Sequence, residues 1–142
     1  MLQRIQSIWI FLAAVCAALT FKFPFYGGNT VVGTNGHNYE DLTATSSVLI
    51  LVITVIIIGG SLVNIFNYKD RKKQLWITIG LIFLSLLNIV LYYRKTTPGH
   101  GFIEGNFAIW AVLTLAIPLF LILAVRGIMR DQKLVKSVDR LR

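Results

Sequence analysis

The residues of this chain with the most chemistry to offer are His37, Glu40, Asp41, His100 and Glu104, two imidazoles and three carboxylates carried on two polar segments. Gathered in one place, such groups hold a metal ion or move a proton between an acid and a base. Their spacing argues against either use. No pair shows a ligand spacing such as HxxxH, and the two histidines fall on separate loops. Asn35-Gly36 should keep His37 near the tip of a hairpin, while Pro98-Gly99 confines His100 to a short turn, so the imidazoles are expected to stay apart.

Other reactive groups lack activating neighbours. Cys16 is the single cysteine, so an internal disulfide and a thiolate metal cluster are both excluded, and among Ala13, Ala14, Ala17 and Ala18 it reads as a small apolar filler. Val15 before it and the apolar residues after it fit a lipoprotein cleavage site poorly. Ser61 and Ser85 have no His or Lys base at their depth in the chain, and Gly27-Gly28 precedes neither a Lys-Ser/Thr pair nor a helix start. No catalytic residue, cofactor or metal site is expected, and the reading is of a non-enzymatic protein.

What would position these residues is a set of four segments without a charged side chain, at residues 5–21, 44–66, 75–93 and 107–125 of a 142-residue chain. A helix rises 1.5 Å per residue and a bilayer core is about 30 Å thick, so about 20 apolar residues cross it and about 17 is near the lower limit. Val48 to Gly60 is apolar around its whole circumference, and the mean hydropathy is +0.71, as expected where the solvent is lipid. The expected fold is an all-α, four-transmembrane-helix bundle forming one domain over residues 1–142. None of the four segments carries Asp, Glu, Lys, Arg or His, which argues against a proton-coupled transporter or an intramembrane metalloprotease.

The formal net charge of +8 is unevenly placed. With the N-terminus inside, Arg4, the Lys69–Lys73 cluster and the residues from Arg126 onward put eleven of the 14 basic residues on the inner side, leaving Lys22, Arg94 and Lys95 outside. That bias predicts an N-in, C-in orientation and explains the charge without a nucleic-acid partner. Tyr92, Tyr93 and Trp110 then mark the outer interface, and Trp9 and Trp76 the inner one. The segment from Gly27 to Leu42 predicts a small outer β-hairpin, which is marginal alone and must pack on the membrane-side aromatics or on a partner. Asp41 and Thr43 are read as capping the second helix, and residues 94–106 as a compact turn. No internal repeat is evident.

Ser47, Thr54, Ser61, Asn64 and Tyr68 fall on one stripe of the second span, and Gln74, Thr78, Ser85, Asn88 and Tyr92 on one stripe of the third. Both are expected to face the bundle interior as interhelical hydrogen-bonding contacts, the competing reading being a polar path for a solute. Pro118 should bend the fourth span by freeing the carbonyl of Thr114. The tail, residues 126–142, predicts a cytoplasmic amphipathic helix with Leu134, Val135, Val138 and Leu141 on its apolar edge, suited to anionic inner-leaflet headgroups or to a protein partner.

Three segments, Met1 to Ser7, Asn64 to Phe66 with Tyr68 to Gln74, and Arg126 to Ile128 with Asp131 to Arg142, resemble an uncharacterised domain-of-unknown-function family of small four-helix inner-membrane proteins from Bacteroidota. The resemblance implies a multi-pass protein of a bacterial inner membrane and supplies no activity. All three segments fall on the expected cytoplasmic face, which implies a shared interaction surface there. The candidate partner contacts are Gln3, Arg4, Gln6, Arg71, Gln74, Arg130, Asp131, Ser137, Asp139 and Arg140. The expected role is an accessory or scaffold subunit of an inner-membrane assembly. The alternative is a small homo-oligomeric transporter or channel for an uncharged solute, which would use the Ser/Thr/Asn stripes.

Overall fold

Runs such as VLILVITVIII are rich in β-branched residues that favour strands in water. In hydrocarbon each unpaired backbone group costs several kcal/mol, so such a run becomes a helix, which satisfies its own hydrogen bonds. The computed structural model describes residues 2–32, 36–67, 70–97 and 102–139. It contains four helices, α1 (Leu2–Leu19), α2 (Val48–Phe66), α3 (Arg71–Thr96) and α4 (Ala111–Asp139), with three strands, β1 (Tyr26–Val32), β2 (Gly36–Leu42) and β3 (Phe102–Phe107). Helices α2, α3 and α4 include stretches long and apolar enough to cross a membrane, and the apolar part of α1, Ile5–Leu19, is shorter.

Each helix packs on its two neighbours in the cyclic order α1, α2, α3, α4. The start of α1 meets the end of α4, where Gln6 donates to Asp131, and the strands lie at the opposite end. The bundle therefore runs up, down, up, down. Its middle is filled by Ala13 and Ala17 of α1, Ile53 and Ile57 of α2, Leu81 of α3, and Ile117 and Leu121 of α4. The two alanines, both fully buried, let α1 approach closely, which is how helices associate where burying leucine has no solvent reward. Outward-facing Val52, Val55, Phe83, Leu87, Leu115 and Leu119 stay exposed, the pattern of a lipid-facing girdle.

The loops differ from expectation in two ways. The hairpin is present but belongs to a three-stranded antiparallel sheet of order β2-β1-β3, because residues 102–107, read as part of a turn, form a strand along the other edge of β1. The register pairs Tyr26 with both Leu42 and Phe107, and shifts at a bulge between Asn29 and Thr30 on the β3 side. Asn35 lies outside the described residues, although Val32 pairs with Gly36 around it. Second, Asp41 and Thr43 do not cap α2. Strand β2 continues to Leu42, and Ser47, in extended conformation and without a side-chain cap bond, occupies the cap position. Ser46 instead closes the connection, its hydroxyl donating to the Asp41 carbonyl at 3.1 Å and accepting from the Thr43 amide at 2.9 Å. Helix α4 runs past Pro118 to Asp139, so the described part of the tail continues the fourth helix, the condition on which its helical reading rested.

The sheet seats on its own bundle. Phe25, Tyr26, Leu42 and Phe102 pack with Ala44, Ile50 and Tyr92, and the Phe25 and Tyr92 rings lie 4.9 Å apart. Tyr26 makes edge contacts with Phe102 at 5.2 Å and Phe107 at 5.3 Å. A two-stranded hairpin is marginal, and the third strand with this aromatic base supplies what it lacks.

The close approach of α1 makes a testable demand. Ala17→Leu inserts three carbons into a filled space and is expected to destabilise the bundle by about 1–3 kcal/mol. Gly59→Ala and Gly80→Ala add a methyl that meets nothing within 4 Å and should be neutral or stabilising by up to about 1 kcal/mol. Thermal unfolding in detergent measures both; equal loss of Tm in the three variants would contradict this packing.

Candidate functional site

Polar side chains on two long apolar helices that pack side by side are buried against one another, and on α2 and α3 they form a repeated pattern. Thr54, Ile57, Ser61 and Asn64 on α2 match Thr78, Leu81, Ser85 and Asn88 on α3, each 24 residues later, and all eight are buried. Because the helices are antiparallel, the threonine of each set meets the asparagine of the other. Asn64 Nδ2 donates to Thr78 Oγ1 at 2.8 Å, and Asn88 Nδ2 donates to Thr54 Oγ1 at 3.2 Å. Each threonine hydroxyl donates in turn to the carbonyl four residues earlier, Thr78 to Gln74 at 2.7 Å and Thr54 to Ile50 at 2.8 Å. The hairpin thus has a local two-fold axis across the middle of α2 and α3, an internal repeat that the sequence reading missed. The spacing T-x2-[IL]-x3-S-x2-N at a fixed offset is the signal that reveals it.

Gln74 extends the seam toward the α2–α3 connection, its Nε2 donating to the Asn64 carbonyl at 3.4 Å. Ser85 turns its hydroxyl onto the Ile82 carbonyl at 2.7 Å. Ser61 Oγ, Asn64 Oδ1 and Asn88 Oδ1 have no hydrogen-bond partner among the described residues. Nearly all the stripe residues expected to face inward do so: Ser47 is only half-buried, and Tyr68 lies outside the described residues.

The opposite end from the sheet holds the candidate partner contacts, and the structure divides them. Gln6 and Asp131 are buried and hydrogen-bonded to each other, joining α1 to α4. Arg71 Nη1 donates to the Asp131 carbonyl at 3.5 Å, and Gln132 Nε2 donates back to the Arg71 carbonyl at 3.3 Å, joining α3 to α4. Gln6, Gln74 and Asp131 are therefore engaged inside the chain, with Arg71 half-buried beside them. Gln132, not among the expected contacts, belongs to this clasp. Arg130 is exposed, as are Lys72, Lys73, Arg126 and Lys133, while Asp70 and Lys73 form a solvent-exposed pair at 3.0 Å. The side chains of Gln3, Arg4, Ser137 and Asp139, and the whole of Arg140, lie outside the described residues.

Of the acid-base candidates, the described residues place only the three carboxylates. In the sheet register Gly27 stands between Asp41 and Asn106, and Asn29 between Tyr39 and Glu104, so Asp41 and Glu104 share the face turned away from the bundle. Glu40, one residue from Asp41, belongs to the other face. His100 and the side chain of His37 lie outside the described residues. Among the described residues no three His, Cys, Asp or Glu side chains gather as a metal site would require.

The seam predicts two equivalent couplings. Double-mutant cycles on Asn64 with Thr78 and on Asn88 with Thr54 should each return about 0.6–1.7 kcal/mol of favourable coupling in detergent unfolding. Coupling in one pair and none in the other would contradict the two-fold arrangement.

No curated protein and no solved structure matches the chain. The model of one family does, over residues 2–141, and that family is described as a domain of unknown function. With nearly its whole length covered, the chain belongs to the DUF4293 family.

Proposed function

We propose that this protein is a non-enzymatic accessory or scaffold subunit of an assembly in a bacterial inner membrane, spanning the bilayer four times with both termini in the cytoplasm. The observation that carries the reading is the contrast between interior and end. The polar groups between α2 and α3 are tied largely to each other, while Lys72, Lys73, Arg126, Arg130 and Lys133 stand exposed at the end that holds the chain termini. Exposed basic residues beside a membrane attract anionic headgroups at up to about 1 kcal/mol each, and on the same surface they steer an acidic protein partner. The family resemblance supports the inner-membrane and Bacteroidota setting, and the uneven distribution of basic residues supports the orientation.

For α1 to cross as a fourth span, its flanks must complete the short apolar stretch Ile5–Leu19. Leu2 to Arg4 continue the helix at one end, and Phe21 and Phe23 follow at the other, where Phe23 packs on Trp110 at 4.1 Å. Lys22 between them snorkels to the headgroups. The buried Gln6 and Asp131 act as positioning groups in this scheme, setting α1 against α4, and Gln74 sets α3 against α2, so that Arg130 and its basic neighbours share one surface. Gln3, Arg4, Ser137, Asp139 and Arg140 complete the proposed contact set.

A second reading, a small homo-oligomeric conduit for an uncharged solute, draws on the unpartnered Ser61 Oγ, Asn64 Oδ1 and Asn88 Oδ1. The scaffold reading is preferred because the amide nitrogens of both asparagines are already engaged with threonines across the seam.

Affinity capture in mild detergent tests the proposal. The wild-type chain should retain a reproducible membrane-protein partner, and the variant Arg126→Glu/Arg130→Glu/Lys133→Glu should lose it while remaining folded and monodisperse. A free monomer from wild-type membranes, or a partner kept by the charge-reversed variant, would contradict the scaffold role.

A further inference from the structure

The face of the sheet turned away from the bundle holds a cavity of about 450 Å³, within the size range of small-molecule sites. Its floor is made by the strand register. In one cross-strand row Gly27 lies between Asp41 and Asn106, and in the next Asn29 lies between Tyr39 and Glu104. Neighbouring strands are about 4.8 Å apart, so the Asp41 and Asn106 positions flank a gap about 10 Å wide over a residue with no side chain. The Tyr39 ring tip and the Asp41 carboxylate reach into that gap from β2, and the cavity is lined by them together with Asn29, Glu104 and Asn106.

The absence of a side chain at Gly27 is what lets the β2 side chains lie across the sheet. A Cβ at Gly27 would run into the Tyr39 hydroxyl and come within 3.0 Å of Asp41 Oδ1, so Tyr39 and Asp41 lean over the glycine from β2. Asp41, Asn29, Glu104 and Asn106 are all exposed, and none of these four has a hydrogen bond from its side chain to another described residue among the bonds that define the fold. Tyr39 is 69% exposed, although it stands in the middle of a strand.

We infer that this face binds a neutral saccharide. Sugar hydroxyls are donors and acceptors at once, and the site offers both: carboxylate oxygens that only accept, and two amides that do both. The exposed Tyr39 ring supplies a flat apolar surface for the C–H face of a pyranose, with its hydroxyl as a polar tip. No Lys or Arg lines the cavity, which disfavours anionic ligands. Two carboxylates alone would also attract a cation, but they lie in different rows on non-adjacent strands, and the described residues hold no cluster of metal ligands. The inference stands apart from the scaffold proposal, since it concerns the opposite end of the molecule and does not depend on the orientation.

Saturation-transfer NMR on the full chain in lipid nanodiscs tests it, with maltose and N,N′-diacetylchitobiose as neutral probes and calcium chloride and spermidine as cationic ones. Transfer to at least one neutral saccharide is expected. Tyr39→Ala should weaken that binding about tenfold, the equivalent of about 1.4 kcal/mol. Gly27→Ala, which displaces only the movable ends of Tyr39 and Asp41, should weaken it at least as much with an unchanged circular-dichroism spectrum, and Asn106→Ala, at an exposed position on the opposite rim, should weaken it as well. No transfer to either saccharide, transfer undiminished in all three variants, or binding of calcium or spermidine alone would each overturn the inference.

Discussion

A polar side chain buried between long apolar helices has no water to turn to, and this constraint shapes the centre of the molecule. Asn64 and Asn88 meet it by donating across the α2–α3 contact to Thr78 and Thr54. Each threonine can accept because its own proton goes to the preceding turn of its helix. The arrangement works only in one antiparallel register, so the two bonds fix the sliding position of α2 against α3. With that hairpin set, Leu81 lies against Gly60, and the face left by Ile53, Ile57 and Leu81 is filled by the alanines of α1 and by Ile117 and Leu121 of α4.

The two ends of the bundle are closed by different chemistry. At the sheet end the closure is aromatic and aliphatic, with Phe25, Tyr26, Phe102 and Tyr92 forming a base on which β1 is held between β2 and β3. At the other end it is polar, with Gln6, Asp131, Arg71 and Gln132 linking α1, α3 and α4. An apolar base suits a sheet seated directly on a membrane-embedded bundle. A hydrogen-bonded clasp suits an end bordered by exposed lysines and arginines, where water competes for single ion pairs but less for a buried amide–carboxylate contact.

The helices and the inward-facing stripes were legible because lipid leaves few choices: a charge-free run becomes a helix, and Thr54, Ser61, Asn64, Thr78, Ser85 and Asn88 have only the interior to face. Strand β3 was not legible, because Phe102–Phe107 contains a glycine and follows Pro98 and Gly99, and its partner β1 is some 75 residues earlier; local pattern carries no information about such a pairing. The α2 cap was misplaced for the same reason, since pairing with Tyr26 draws Leu42 and its predecessors into a strand. The repeat was hidden by interchangeable aliphatics between its polar positions. Of the contact residues at the termini end, Gln74 already lay on the inward-facing stripe, whereas Gln6 and Asp131 carried no sign in the sequence that they would pair with each other rather than with another protein.

If the seam between α2 and α3 is a tied contact and not a passage, water-soluble reagents should not reach it in the folded protein. The direct measurement places single cysteines at Ser61 and Ser85 in a Cys16→Ser background, reconstitutes the chain in liposomes, and follows modification by a small methanethiosulfonate reagent applied from either side. Both cysteines should resist modification in the bilayer and react fully after denaturation in dodecyl sulfate. Rapid modification of both in the folded, reconstituted state would show an aqueous path along the stripes and contradict the closed α2–α3 contact.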